Sequence, residues 1–288
     1  MTEDLLKELF KEQYGDFHPV RLNGGYTNET FLLNGTSPPL VAKVARSNNQ
    51  DIENEVNSLK LLHDSGISPI LHEHKETINL QVTLSEFCEG QNGQSIVDHN
   101  DLERTRVLYK RMAAILAKSI HSRKYANDSY GIRTSNMNEL NYHLAFVPEV
   151  LAEQSMDFLK RVNDLPAEWV LIHGDYGVHN VLLSEADHLT VLDWEWAEWG
   201  NPLSDVSWVC WFTHLHYKEY AKSLNPLFIE EYQHFSQTNF SSDELKAYCL
   251  YKVWKVLNKL DHSPLEDQQE WVRRLEWTLQ TDIFDFVC

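Results

Sequence analysis

The stretch from Leu171 to Asp205 constrains this 288-residue chain most strongly, because short apolar runs and polar turns alternate along it. Apolar runs that are bounded by turn-forming residues are typical of short buried strands. Side chains at strand ends are held by a rigid scaffold and still reach solvent, and Asp175, Asn180 and Asp193 stand at such ends. We therefore predict short strands at three runs: Val170–Ile172, Val181–Leu183 and Val191–Leu192.

The polar residues in this stretch have the spacing of a phosphoryl-transfer loop rather than of an ordinary polar loop in an α/β core. His173, Asp175 and Asn180 fit the pattern H-x-D-x-x-x-x-N, and Asp193 follows the next apolar run. In kinases the first aspartate accepts or orients the substrate hydroxyl proton, and the asparagine and second aspartate hold magnesium. Such oxygen ligands suit Mg²⁺, which keeps several waters. We predict Asp175 as the catalytic residue and Asn180 and Asp193 as metal ligands.

Two motifs resemble the aminoglycoside phosphotransferase family of small-molecule kinases, to which choline and homoserine kinases are similar. They are H-G-D-Y-G-V-H-N at residues 173–180 and L-D-W-E-W-A-E-W-G-N-P-L-S-D at residues 192–205. One departure is His179, because the family often has glycine just before the asparagine. The resemblance implies an α+β, protein-kinase-like two-lobed fold, with an N-terminal antiparallel sheet lobe and a mainly helical C-terminal lobe. It also implies ATP (or GTP) and Mg²⁺ as cofactors and a small molecule as phosphate acceptor.

A lysine in an apolar strand is the next candidate for the site. Lys43 lies inside the predicted strand Leu40–Ala45, where kinases place the lysine that pairs with nucleotide phosphates. A lysine that protects an edge strand from aggregation is the alternative. Glu55, on the amphipathic segment Gln50–His63, is predicted to form the ion pair with Lys43 that kinases use, although Glu53 competes for this role.

A cluster of turn formers at residues 23–29 joins two predicted strands and is similar to the loop that covers the nucleotide in the family. Glycines in such a turn let backbone N–H groups approach phosphates closely. A purely structural hairpin is the alternative. The residues assigned to nucleotide binding in this turn are Gly24, Gly25, Thr27 and Asn28.

The end of the predicted strand Ile78–Phe87 resembles the hinge whose backbone hydrogen-bonds adenine, which assigns Glu86 and Cys88 to nucleotide binding. A hinge at residues 85–93 predicts a nucleotide-binding lobe at 1–90 and a catalytic and substrate-binding lobe at 91–288. Amphipathic spacing predicts helices through the second lobe. Their bounds are Asp101–Ser122, Glu139–Arg161 with a break near Pro148, Asp205–Tyr217, Pro226–Phe235, Ser242–Leu260 and Pro264–Phe284.

Charge narrows the possible partners. The net charge of −18 disfavours nucleic acids and anionic membranes. From Val162 to Tyr217 there is no Lys or Arg, yet there are nine carboxylates and six of the nine tryptophans. An acidic, aromatic surface of this kind suits a cationic, amine-bearing acceptor, although packing of the tryptophans and the metal ligands would also account for it. The candidate acceptor residues are Glu195, Trp196, Glu198 and Trp199.

The remaining composition predicts a cytoplasmic protein with reduced cysteines. The sequence has no run of eighteen apolar residues, and its acidic N-terminus lacks an apolar signal region. The four cysteines show neither paired spacing nor a zinc pattern.

Three functional hypotheses remain. The first is a kinase for an amine-bearing, aminoglycoside-like acceptor, or alternatively a choline- or homoserine-type metabolite kinase. The second is a catalytically silent nucleotide-binding protein with a kinase fold, which the filled catalytic positions disfavour. The third, a protein kinase, is disfavoured because D-W-E stands in place of D-F-G and no A-P-E segment follows Asp193.

Overall fold

The structure, a computed structural model, describes residues 2–22, 28–126, 129–163 and 168–287, without the side chains of residues 161–163. The chain divides into two compact units that are built from discontinuous segments. The first comprises Met1–Ser95, Asp128–Ile132 and Asn180–Ala197, and the second comprises Ile96–Asn127, Arg133–His179 and Glu198–Cys288. The division into lobes at residue 90 stays a prediction.

The first unit contains a five-stranded antiparallel sheet with the strand order β1-β2-β3-β5-β4. One face of this sheet packs against Leu6 and Phe10 of the N-terminal helix α1. In β3 the buried residues alternate with less buried ones, as the two-residue period of a strand requires. The elements are α1 (Thr2–Tyr14), β1 (His18–Arg21), β2 (Glu29–Asn34), β3 (Leu40–Arg46), α2 (Gln50–Leu61), β4 (Leu71–Glu76) and β5 (Leu80–Glu86).

The short strands at the centre of the chain form two further sheets. They are β6 (Gln91–Asn92), β7 (Val170–Ile172), β8 (Val181–Leu183), β9 (Leu189–Val191) and β10 (Glu198–Gly200). In the first unit, β6, β8 and β9 form an antiparallel sheet, and in the second unit β7 pairs with β10. The predicted strands at β7 and β8 are confirmed, whereas the third begins and ends earlier than predicted.

Helices make up most of the second unit. They include α4, which continues into a π-helical turn at Leu116–Ile120, and five later helices. Helices were expected on both sides of Pro148, but only the second is present, because α5 begins at Glu149 and residues 140–147 are not helical. Proline lacks the N–H that a helix interior needs, so Pro148 stands just before the helix. A capping box formed by Ser241 and Glu244 begins the helix that follows Ser241. The bounds are α3 (Gly93–Asp98), α4 (Leu102–Ile115), α5 (Glu149–Asn163), α6 (Leu203–His216), α7 (Lys218–Ser236), α8 (Ser242–Lys259) and α9 (Leu265–Gln280).

A further helix start was predicted wrongly. We expected a helix to begin at Pro226, because proline usually interrupts a helix interior, but α7 begins at Lys218 and continues through Pro226. Packing against α4 and α6 and a hydrogen bond from Asn225 Nδ2 to the Cys210 carbonyl oxygen (3.0 Å) hold this segment in place. Within the described part of the chain, no helix is long and apolar enough to cross a membrane.

The interior of the second unit is organised around α6, which is buried on nearly all sides. A helix that is apolar around its whole circumference belongs inside a protein core. Asp205 and Trp208 lie on this helix three residues apart, so their side chains project from the same face. Both residues are buried, and the helix therefore presents two polar groups to the loop that follows β7.

Candidate active site

Lys43 is the centre of a group of acidic side chains in the first unit. Its ammonium nitrogen lies 2.8 Å from Glu55 Oε2, 2.7 Å from Asp193 Oδ1 and 3.5 Å from Glu195 Oε2. The predicted ion pair with Glu55 is present, and Glu53 is exposed. Because β3 is flanked by β2 and β5, the alternative of an edge-strand lysine is wrong.

The position of this group follows from the sheet and from α2. Lys43 projects from the face of β3 opposite to the residues that pack on α1. The helix is fastened to the turn after Asp193, because Asn54 Nδ2 donates to the carbonyl oxygens of Glu195 (3.1 Å) and Ala197 (2.8 Å). Glu55, the next residue on the helix, is thereby held against the lysine.

The charges in this group do not cancel. Three carboxylates surround one ammonium. Burial alone would lower the pKa of Lys43, but the charges of Glu55, Asp193 and Glu195 raise it well above its ordinary value. Burial, together with the charge of Asp193, raises the pKa of Glu195 to about 7. The excess negative charge is a condition that a divalent cation would relieve.

The predicted metal ligands lie at one end of the β8–β9 hairpin. Val181 pairs with Val191 across the hairpin, so Asn180, just before β8, and Asp193, just after β9, come to the same end. The Leu192 N–H donates to the Asn180 carbonyl oxygen at 2.8 Å and ties the two segments together. Asp193 has a left-handed backbone, with φ of 60°, a conformation that is uncommon outside glycine and is concentrated at functional sites.

The nucleotide residues predicted around this group are only partly described. Gly24, Gly25 and Thr27 lie outside the described residues. Asn28 is buried, donates to Glu195 Oε2 at 3.2 Å and accepts from Asn49 Nδ2 at 3.1 Å. The predicted hinge residues stand where the chain leaves the sheet: Glu86 ends β5 and Cys88 follows.

Asp175 lies in the second unit, and hydrogen bonds hold both of its carboxylate oxygens. Trp208 Nε1 donates to Oδ1 at 2.8 Å, and His179 Nε2 lies 3.2 Å from Oδ2. Burial would raise the pKa of Asp175, but the hydrogen bond and charge of His179, the charge of Lys252 and the Trp208 bond hold it well below its usual range. The carboxylate is therefore ionised at neutral pH.

Hydrogen bonds to Asp205 of α6 hold the backbone of the same loop. Asp205 accepts from the N–H groups of His173 (2.7 Å) and Gly174 (2.9 Å), and His121 Nε2 lies 3.2 Å from its carboxylate. His173 Nδ1 accepts from the Asp175 N–H at 3.2 Å. His173 and Asp205 therefore both brace the backbone of this loop.

Sequence reasoning missed two residues that support this loop. Trp208 had a signal, since it follows Asp205 by three residues in a predicted helix. Lys252 is fully buried and donates to the Gly174 carbonyl oxygen. It stands in the apolar run L-Y-K-V-W of α8, the same signal of a lysine among apolar residues that identified Lys43.

The four predicted acceptor residues fall into two groups. Glu195 and Trp196 belong to the first unit, where Glu195 is engaged by Lys43 and Asn28. Glu198 and Trp199 lie in β10 of the second unit and are only 4% and 5% exposed. Glu198 pairs with Lys255 at 2.5 Å, and Trp199 packs against Tyr125. Burial of this extent argues against direct contact between an acceptor and the β10 pair.

Comparisons with known proteins show what this chain is similar to. Residues 18–248 match the model of the phosphotransferase enzyme family. Mouse acyl-CoA dehydrogenase family member 10 is 23% identical over 245 residues, which cover 73% of this chain. The chain spans only 22% of the length of that curated relative.

Solved structures with low sequence identity share the fold. The choline kinase LicA from Streptococcus pneumoniae is 17% identical and has a TM-score of 0.75, with 96% of this chain and 98% of that chain covered. A thermostable mutant of aminoglycoside phosphotransferase APH(4)-Ia, in ternary complex with AMP-PNP and hygromycin B, is also 17% identical, with a TM-score of 0.69 and coverage of 96% and 97%. The predicted protein-kinase-like α+β fold is therefore confirmed.

Proposed function

Because the chain belongs to the phosphotransferase enzyme family, we propose that it is a small-molecule kinase that transfers the γ-phosphoryl group of ATP (or GTP) to a hydroxyl group. The observation that carries the proposal is the bonding of Lys43 to both Glu55 and Asp193. In kinases these three positions hold the phosphates and the metal. The fold alone would not support a kinase, because one fold serves many functions.

In the first unit, Lys43 would neutralise the α- and β-phosphates of the nucleotide, and Glu55 would keep its ammonium oriented. Asn180 and Asp193 would hold Mg²⁺, and their oxygen donors fit that ion. Among the described residues, no group of three His, Cys, Asp or Glu side chains is placed to hold a metal. A site with few protein ligands suits magnesium, which keeps waters and binds substrate phosphates. When bound, the ion would neutralise charge that develops on the phosphates.

In the second unit, Asp175 would orient the acceptor hydroxyl and take its proton. Its low pKa makes it a weak base, but phosphoryl transfer depends on positioning and charge compensation more than on strong base catalysis. The Trp208 and His179 hydrogen bonds supply that positioning. Since the group is already ionised at neutral pH, no proton has to leave it before the acceptor binds.

We propose an amine-bearing acceptor, which is aminoglycoside-like or, alternatively, a choline- or homoserine-type metabolite. The net charge of −18 supports a cation over an anionic sugar acid. Two structural neighbours accord with this class, since one is a choline kinase and the other is bound to hygromycin B. We also propose that the protein acts in the cytoplasm, where ATP and Mg²⁺ are available.

The test is ADP release with Mg-ATP or Mg-GTP and a panel of acceptors: aminoglycosides, choline, homoserine and an anionic sugar acid. We expect release that depends on an amine-bearing acceptor and that Asp175→Asn abolishes. If no acceptor raises ADP release although calorimetry detects nucleotide binding, the protein is the catalytically silent alternative. If neither is observed, the kinase proposal fails.

A further inference from the structure

We propose that Lys252 of α8 is a positioning residue for Asp175. The Lys252 ammonium group holds the loop of residues 173–175 in the geometry that the proposed reaction requires. The inference rests on the proposed function, because it assigns a support to the proposed base. The sequence analysis did not assign Lys252 a role, although it stands in the apolar run L-Y-K-V-W.

The location of Lys252 is unusual for a lysine. The residue is 0% exposed, and its ammonium donates to the Gly174 carbonyl oxygen. The ammonium also lies 5.4 Å from the centre of the Trp208 ring, the same ring whose N–H donates to Asp175. Burial of an ammonium is costly unless other groups compensate its charge. The carboxylates that compensate it are Glu198, Asp175 and Asp205, and Asp205 also binds the backbone of the loop.

Side chains of opposite charge bind the backbone N–H and C=O groups of the loop of residues 173–175. The Asp205 carboxylate accepts hydrogen bonds from the N–H groups of His173 and Gly174. The Lys252 ammonium donates a hydrogen bond to the Gly174 carbonyl oxygen. Gly174 has φ of +83°, a left-handed conformation that favours glycine. Asp175 is the next residue, so the orientation of its backbone depends on both anchors.

The charged groups around Lys252 come from several elements. Burial and the charge of Lys255 lower the pKa of Lys252 to about 8, against the opposing charges of Glu198, Asp175 and Asp205. Two of these carboxylates have histidine partners as well: His121 faces Asp205 and His179 faces Asp175. From α9, Arg274 lies over the Trp271 ring, which stacks with Trp208.

The sign of the pH effect follows from these groups. Because the pKa of Lys252 is lowered, its ammonium is present at neutral pH and is lost as the pH rises through about 8. A hydrogen bond from a charged donor is roughly twice as strong as one from a neutral donor. The loop is therefore anchored firmly at neutral pH and less firmly above pH 8, so kcat falls on the alkaline side.

The experiment compares kcat between roughly pH 6.5 and 9.5 in the wild type and in Lys252→Met, whose side chain is similar in length and has no charge. The wild type should show a descending alkaline limb with its midpoint near pH 8. Lys252→Met should lose about tenfold in kcat at pH 7, keep its KM for ATP within about twofold, and lack the limb. An unchanged limb in Lys252→Met overturns the proposal.

Lys255→Met is the matched variant, because Lys255 lies on the same helix one turn after Lys252. The charge of Lys255 lowers the pKa of Lys252, and Lys255 pairs with Glu198. Its removal should raise the pKa of Lys252 and move the alkaline limb to higher pH. A lysine with a purely structural role would give no such shift, so a stationary limb also counts against the proposal.

Tryptophan fluorescence provides a measurement that needs neither activity nor the Lys252 variant. Loss of the Lys252 charge near the Trp208 ring should change the fluorescence of Trp208 with a midpoint near pH 8. Trp208→Phe should remove this change. If Lys252→Met does not fold, the pH titration of fluorescence in the wild type and its shift in Lys255→Met still test the proposal. A flat titration refutes the assignment of Lys252, whereas a titration without acceptor-dependent ADP release refutes only the kinase proposal.

Discussion

At the scale of single residues, Asp175 of the second unit and Asp193 of the first unit differ in what surrounds them. Asp175 is held by the Trp208 N–H and by His179, and Asp193 by a lysine in a group of carboxylates. We expect Asp175→Asn to lower kcat by at least ~10² while the affinity for ATP stays nearly constant, because the role proposed for Asp175 acts mainly in the transition state. Steady-state kinetics and calorimetry measure the two quantities. Asp187→Asn, on the exposed turn between β8 and β9, is the control that should retain full activity.

Asp193→Asn should remove the dependence of nucleotide binding on magnesium. Asparagine keeps the shape of the side chain and tolerates the left-handed backbone, so the change removes the charge alone. Loss of one anionic ligand weakens binding of a doubly charged ion. Calorimetry with ATP, with and without Mg²⁺, tests this. An equal gain in affinity from Mg²⁺ in both proteins would exclude Asp193 as a ligand.

At the scale of elements, α8 carries Lys252 and begins with a capping box, in which Ser241 and Glu244 bond to each other's backbone N–H groups. Ser241→Ala should lower the free energy of unfolding by about 1 kcal/mol, because a helix N–H loses its acceptor. Kinetic constants at neutral pH should be unaffected, since the cap lies more than two helical turns from Lys252. Urea denaturation measures the loss. Ser242→Ala, one residue further on, should stay within about 0.5 kcal/mol of the wild type.

At the scale of the whole molecule, the net charge of −18 should influence acceptor binding. If the acceptor is a cation, its KM should rise with ionic strength, because the screening length falls from about 10 Å at 0.1 M to about 3 Å at 1 M salt. Initial rates with an amine-bearing acceptor and with a neutral analogue provide the comparison. A KM that salt leaves unchanged for the cation would remove the charge argument for an amine-bearing acceptor.

Local patterns in the sequence were sufficient to predict most of the elements. The apolar run around Lys43 predicted β3, and helical spacing predicted α8, because these signals depend on residues close together in the chain. The ion pair of Lys43 and Glu55 was predicted from the kinase pattern, because helical spacing alone left Glu53 as a competitor. Pro226 shows the limit of such reasoning, because contacts with α4 and α6 decide whether α7 continues through it.

The sequence by itself determined the strands of the central stretch and the spacing of Asp175, Asn180 and Asp193. The tertiary structure alone decided which side chains are available to a ligand. Glu198 follows a run of acidic and aromatic residues that predicted an acceptor surface, yet β10 pairs with β7 and buries it against Lys255. The tertiary structure also decided that Lys252 contacts Gly174, which lies 78 residues earlier in the chain. Contacts at such separations depend on how helices and strands pack, and no local pattern of residues records that packing.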